Sequence, residues 1–277
     1  MALSVHTNDA ALTALQNLTS TSNQLHEVQN RISTGLAING ARDNAAVWAI
    51  AQGQRADIGS LGAVKSSLDR ATSIADVGSA AGATISDLLV QMKANVVAAL
   101  DPSLDTASRN SLDSAYKSEL RQITSIVQNA TFDGANLLNG SVAQIKFIAN
   151  ADATGFITLS SQNLSLGGAI VTVPASSSIS SVAAASIALA QLSASIINTN
   201  AALGNLGSQS KEISNHNLFV QKLADQLTTG IGNLVDADLA RESARLQSLQ
   251  VQQQLGTQAL SIANQAPQVI LQLFKGG

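Results

Sequence analysis

RISTGLAINGARDNAAVWAIA, from Arg31 to Ala51, is the stretch on which the reading of the fold turns. Apolar and small residues at helical spacing run into it and out of it, yet two glycines and a polar knot interrupt them in the middle. A glycine adopts the left-handed conformation that closes a helix at no steric cost, so Gly35 reads as a helix end. Asp43 or Asn44 can accept hydrogen bonds from the first free amides of the next helix, so a second helix reads as starting there. Residues 35–43 are therefore a linker, with Gly35 and Gly40 as its flexible points and Asn39 and Arg42 as its polar positions.

Upstream, Ala11, Leu18, Leu25 and Ile32 form one row and Ala14, Thr21 and Val28 the next, the 3-4 alternation of a coiled-coil seam. Downstream, a longer seam runs Leu61, Val64, Leu68, Ala71, Ala75, Gly78, Gly82, Ile85, Leu89, Met92, Val96 and Ala99. Its small residues at 75, 78 and 82 predict close approach of a partner backbone. Asp101-Pro102 ends that helix. A third helix turns Leu112, Tyr116, Leu120, Ile123 and Val127 inward and stops at TFDGANLLNG, where Asp133-Gly134 and Asn139-Gly140 are turn dipeptides.

From 142 to 174 the texture changes to short β-branched runs, QIKFIAN, GFITLS and AIVTV, which read as a small β-hairpin region. Helical spacing then returns through Leu189, Leu192, Ile196, Thr199, Leu203, Leu206, Ile213, Val220, Ala224 and Leu227. Gly230 and Gly232 read as ending it, which makes 230–235 a second linker. Asp236 or Asp238 opens the last helix, whose seam is Leu239, Leu246, Leu249 and Leu260. The fold class is thus mainly α: a long antiparallel helical bundle and a terminal coiled coil, with a small β-hairpin region. The expected domains are terminal helices at 1–34 and 236–277, linkers at 35–43 and 230–235, a helical core at 44–141 and 175–229, and the hairpin region at 142–174.

Composition supports thin helix-helix seams over a thick globular core. The chain has 277 residues, 45% hydrophobic but only 3% aromatic. Charged residues make up 12%, about half the usual share, and the formal net charge is -3. No basic face is available for nucleic acid or an anionic membrane surface. There is no cysteine, hence no disulfide or thiolate site. The start, MALSVHTNDA, lacks the charged and apolar regions of a secretory signal, so export is expected to need a dedicated machine. No run approaches the roughly 18 consecutive apolar residues of a membrane span.

Catalytic constellations are not found. The three histidines, His6, His26 and His216, form no ligand pair, and HExxH, phosphate-loop and Gly-x-Ser-x-Gly patterns do not occur. Asp236, Asp238, Arg241 and Glu242 form the densest charge cluster, but acids in a first helical turn suit its dipole and cap it. No enzyme and no cofactor is expected. The seams of the two terminal helices, Leu18, Leu25, Val28 and Ile32 with Leu239, Leu246, Leu249 and Leu260, point instead to self-association.

Arg31 to Ala51 resembles the signature of bacterial flagellins, in which Arg-Leu/Ile-Ser-Ser/Thr-Gly-x-x-Ile-Asn precedes Ala-Lys/Arg-Asp and a small-residue helix start. LGTQALSIANQAPQVILQLF at 255–274 is similar to that family's C-terminal helix, and TFDGANLLNG to its turn after the third helix. The resemblance implies a secreted, extracellular filament subunit for motility. It implies export through the flagellar type III apparatus, polymerisation with other copies beneath a filament cap, and hook-associated proteins as further partners. With about 35 residues between LLNG and the returning helix, it would be a short member without large outer domains. The alternative within this resemblance is a hook-filament junction protein. Trp48 and Gly40 depart from the family pattern. Innate recognition in family members rests on an arginine-rich helical stretch; the corresponding LVQMKANVV at Leu89 to Val97 matches it only at Lys93, so weak activation is expected.

Overall fold

In a computed structural model the backbone is described over residues 7–275 and the side chains over 7–265. The first six residues of the expected terminal helix and residues 276–277 lie outside the described residues. The elements in order are α1 (Asp9–Thr34), α2 (Ala45–Ala99), α3 (Thr106–Asn129), β1 (Thr131–Phe132), β2 (Ala135–Asn136), β3 (Gln144–Ile148), β4 (Phe156–Ser160), α4 (Val182–Val235) and α5 (Leu239–Lys275). They form two compact units, one of residues 1–56 with 226–277 and one of residues 57–225. The boundaries fall inside α2 and α4, not in loops.

The 57–225 unit is built on α2 and α4. Gly78 faces Leu206 and Gly82 faces Leu203. Ser86 Oγ donates to Asn200 Oδ1 at 3.1 Å, and Asn217 Nδ2 to Asp69 Oδ1 at 2.6 Å. Along these pairs the number rises on α2 as it falls on α4, so the helices are antiparallel. All twelve positions of the Leu61–Ala99 seam are buried. A Cβ on Gly82 would lie 2.5 Å from Leu203 Cδ2, so the small residues are there for close approach, at about 1 kcal/mol of helix propensity each for the two glycines. By length and composition α4 could cross a bilayer; Leu192, Leu206 and Ile213 on it are buried in the protein's own core.

α3 packs Tyr116, Leu120, Ile123 and Val127 inward. Its cap is Asp105, which accepts from Ser108 N at 2.7 Å. The preceding turn is held by the buried Arg109, whose Nη2 donates to the Asp101 and Leu104 carbonyls. Asp113, also buried, accepts from Ser178 Oγ and Ile179 N and so fastens the 177–180 loop to α3.

TFDGANLLNG contains more than a turn. Thr131 pairs with Asn136 and Phe132 with Ala135 across Asp133-Gly134, whose positive φ values of 49° and 75° match the right-handed twist of a two-residue hairpin. Buried Asn136 donates to the Val127 carbonyl and accepts from Leu138 N and Asn139 N. The expected hairpin is β3 with β4, Gln144 opposite Ser160 through Ile148 opposite Phe156. AIVTV is not its third strand. Thr172 N donates to Ser195 Oγ on α4 at 2.9 Å, and Val171 and Val173 are buried, so Thr172 is tied to a helix and not to a strand.

Two further expectations are corrected. Gly230 and Gly232 do not end α4, which continues to Val235, and residues 230–235 are helix, not linker. Ile231 and Val235 are buried there, and apolar burial of roughly 1.5–3 kcal/mol per side chain outweighs about 1 kcal/mol per glycine. Asp236 does not cap α5. Asp238 does, accepting from Ala240 N and Arg241 N at 3.1 Å each.

Candidate assembly interface

The unit that holds both ends of the chain is a helix pair joined to a short ribbon. α1 starts at Asn8, whose Oδ1 accepts from Ala11 N at 3.1 Å while its Nδ2 donates to the Ala263 carbonyl at 2.7 Å. One side chain thereby caps α1 and ties it to α5, a double use that sequence spacing does not signal. Farther along, Leu18 lies over Gly256, where a Cβ would come within 3.2 Å of Leu18 Cδ1. Leu25, Val28 and Leu249 form a buried cluster, 7%, 1% and 4% exposed, with Ile32 and Leu246 packed against it. Arg31 completes the row: it pairs with Glu27 within α1, and its Nη1 reaches Glu242 Oε1 on α5 at 3.3 Å. From Asn8 to Arg31 the α5 partners run backwards, so the pair is antiparallel.

Gly35 closes α1 in the left-handed conformation, φ 72°, with its amide on the Arg31 carbonyl at 2.9 Å. The chain then pairs with the far linker. Ala37 N and Ile38 N donate to the Val235 carbonyl, Ala237 N donates to the Gly35 carbonyl, and Leu36 bridges Asp236. Asp43 Oδ2 accepts from Asn39 N at 2.9 Å and Gly40 N at 3.0 Å, which folds residues 39–43 into a closed turn. Asn44 caps α2, accepting from Val47 N at 3.2 Å. Arg42 is exposed on this turn and Trp48 half-buried on the first turn of α2.

The structure therefore brings Leu18, Leu25, Val28, Ile32, Leu246 and Leu249 into one intramolecular seam. Leu239 does not join it and is exposed in the first turn of α5; Leu260 is half-buried. Outside the seam, apolar side chains face solvent: Leu12 and Leu15 on α1, and Val251, Leu255 and Ile262 on α5, the last two 59% and 69% exposed. Between the helices lies an open groove of about 960 Å³ lined by Ala10, Thr13, Ala14, Leu255, Ala259 and Ile262 among others. Exposed apolar faces of this kind mark sites of interaction with other proteins.

A family model for the bacterial flagellin N-terminal helical region matches residues 5–143, and one for the bacterial flagellin C-terminal helical region matches residues 188–274. The chain is similar to Flagellin FljJ of Caulobacter vibrioides, 51% identical over 100% of both chains, and to Flagellin FljM of the same species, 49% identical over 98% of both. It is 37% identical to a flagellin of Brucella melitensis over 99% of both. A crystal structure of Bacillus cereus flagellin overlays with a TM-score of 0.48 and 20% identity, covering 54% of this chain and 85% of that one. The two family models, one on each half, and the full-length relatives favour the filament subunit over the junction protein. With paired helical ends, a short hairpin region and relatives of its own length, the chain belongs to the bacterial flagellins and is a structural subunit of the extracellular flagellar filament.

Proposed function

We propose that the subunit polymerises through the outer faces of α1 and α5, with the same helices of neighbouring copies as occupants of the groove between them. The observation that carries this reading is the solvent-facing row of Leu12, Leu15, Val251, Leu255 and Ile262 on a helix pair that buries only Leu25, Val28 and Leu249 among its described apolar residues. A contact in which the face of one copy meets the groove of the next is heterologous, and where its rotation does not close a ring it extends as a helical polymer. Each aliphatic side chain covered in this way contributes roughly 1.5–3 kcal/mol, repeated at every subunit. The intramolecular seam sets the register of α1 on α5, and the polymer completes their burial. Leu18, Leu25, Val28, Ile32, Leu246 and Leu249 thus serve assembly indirectly, by building the surface.

Gly35, Gly40, Asn39, Arg42, Asp43 and Asn44 shape the turn that joins α1 to α2. Membership of the family supports, as further parts of this proposal, export through the flagellar type III apparatus and contacts with a filament cap and hook-associated proteins. A helix pair with so small a core is suited to crossing a channel unfolded and to being ordered on arrival.

Seeded polymerisation of Leu255→Asp and Ile262→Asp chains tests the assembly surface. Both residues are exposed, so the monomers should keep wild-type circular dichroism while failing to elongate seeds. Normal filaments from both variants would overturn the reading.

A further inference from the structure

The sequence contains two Asn-Gly dipeptides, Asn39-Gly40 and Asn139-Gly140, and their amides are held in opposite ways. We propose that Asn139 is a site of spontaneous deamidation in the folded subunit, and that Asp43 protects Asn39 from the same reaction.

The chemistry requires a free amide. The Gly nitrogen, after losing its proton to hydroxide, attacks the Asn side-chain carbonyl carbon. The new C–N bond closes a five-membered succinimide, and the side-chain nitrogen leaves as ammonia with a proton from water. Water then opens the ring at either carbonyl, leaving aspartate or isoaspartate. The balance is asparagine plus water giving an acid plus ammonia, with no other reactant.

At Asn139 the glycine amide is free. Gly140 is exposed, and no acceptor meets its amide among the described residues. Asn139 Oδ1 accepts from Ser141 N at 2.9 Å, which folds the side chain back over the Gly140 amide. The same Ser141 N–H polarises the carbonyl under attack and stabilises the oxyanion that forms on it. The dipeptide cannot easily be exchanged for a safer one. Gly140 has φ 73°, and a Cβ there would lie 2.6 Å from Asn163 Nδ2, so both the backbone and the packing hold glycine in place.

Asn39 is the more exposed of the two asparagines, but its glycine is half-buried and engaged. Gly40 N donates to Asp43 Oδ2 at 3.0 Å, and the same oxygen takes Asn39 N at 2.9 Å. A carboxylate acceptor both occupies the proton that must leave and places negative charge beside the anion that would form. Releasing a charge-assisted bond of this kind slows a reaction by roughly tenfold or more. Deamidation at Asn139 adds a negative charge to an exposed turn, and isoaspartate lengthens the backbone there by one carbon. The modification is thus a record of subunit age.

The test uses the full chain as monomer, incubated in mildly alkaline buffer and followed by peptide mass spectrometry and enzymatic methylation of isoaspartate. Asn139 should convert several-fold faster than Asn39, and Asn139→Gln should abolish conversion at that position. Asp43→Ala should raise the rate at Asn39 about tenfold, with the rate at Asn139 unchanged. Asp43→Asn, which keeps the shape with a neutral acceptor, should give an intermediate rate and covers the case of an unstable alanine variant. Conversion of Asn39 as fast as Asn139 in the wild type would overturn the proposal. So would an Asn139 no faster than the chain's other asparagines, or an Asn39 rate indifferent to both Asp43 variants.

Discussion

Replacing Leu249 by alanine should detach the terminal helices while leaving the 57–225 unit intact. Leu249 is 4% exposed and shares its cluster with Leu25 and Val28, with Ile32 and Leu246 at the edge. Buried Leu→Ala changes cost about 2–5 kcal/mol, depending on how far the site can collapse. This one lies between two helices, so its neighbours can close in and water can enter, which places the cost near the low end, about 2 kcal/mol. That corresponds to an opening equilibrium shifted about 30-fold. Because an isolated helix is marginal in water, α1 and α5 should open together once their seam is weakened. Hydrogen exchange on the monomer reads this directly: amides of 12–34 and 243–265 should exchange about 30-fold faster, while those of 61–99 keep their protection. Val251→Ala, at an exposed α5 position, serves as the control and should move nothing. Unchanged exchange in α1, or equal acceleration in 61–99, would refute the division of the protein into a thin terminal pair and a separately packed unit.

Gly82→Val should lower the melting temperature, because its side chain must displace Leu203, and adding Leu203→Ala should recover part of the loss. Two buried carboxyls should give opposite pH dependences. Burial pushes Glu119 up, only partly countered by its hydrogen bond from Asn95. The folded state therefore keeps that proton to higher pH than the unfolded chain, and stability falls as pH rises from the unfolded value of about 4.3 through the folded one. Thermal melts of Glu119→Gln should show a gain at neutral pH that disappears in acid. At Asp113 burial also pushes upward, but the bonds from Lys117, Ile179 N and Ser178 win and hold the carboxyl below its ordinary value. Its contribution is present above the unfolded value of about 3.9 and lost as pH falls through the folded one, so Asp113→Asn should destabilise most at neutral pH. In a reporter-cell assay for the flagellin receptor, the chain should be weaker than an enteric flagellin. Of the matching stretch, Gln91 and Ala94 are exposed without charge and Asn95 is tied to Glu119.

The long seams were legible because a heptad repeat reports one face of a helix wherever that face is continuously covered. All of Leu61 to Ala99 is buried on the predicted face, as are Leu192, Leu206, Ile213 and Val220 on α4. Thr199 falls on the inward face by its spacing despite its hydroxyl, and it is fully buried. The pattern failed where a non-local partner decided the outcome. AIVTV has the composition of a strand, yet Ser195 and Gln191 on α4 take up the polar groups of Thr172. Asn8 caps α1 as local chemistry predicts for an asparagine, but its bond to the Ala263 carbonyl spans 255 positions and leaves no trace in spacing. Leu239 fits the α5 seam by count, but it stands in the first turn, beyond the Glu242–Arg31 pair that ends the row.

The two linkers looked alike in sequence, each a pair of glycines between apolar runs, and the structure makes them opposites. Gly35 has φ 72° and no neighbour where a Cβ would stand, so the conformation alone requires glycine. An L-residue held left-handed costs roughly 1–2 kcal/mol, and the strain would fall on the carbonyl that accepts Ala237 N and on the amide that closes α1. Gly230 also has open space at its Cβ, but it is helical, so alanine there gains about 1 kcal/mol of propensity. Gly232 is helical too, yet a Cβ would stand 2.7 Å from Asp236 Oδ2, beside the Leu36 bridge. Melting of the full chain should therefore show Gly35→Ala destabilised, Gly230→Ala stabilised, and Gly232→Ala below Gly230→Ala because Asp236 must move. If both glycines were hinges, Gly230→Ala would stiffen a bend that needs freedom and would impair assembly. As part of a continuous helix it should leave filament growth at the wild-type rate. Stabilisation together with lost polymerisation in Gly230→Ala would show that α4 bends there during assembly, and would sink the account in which flexibility is confined to residues 35–43.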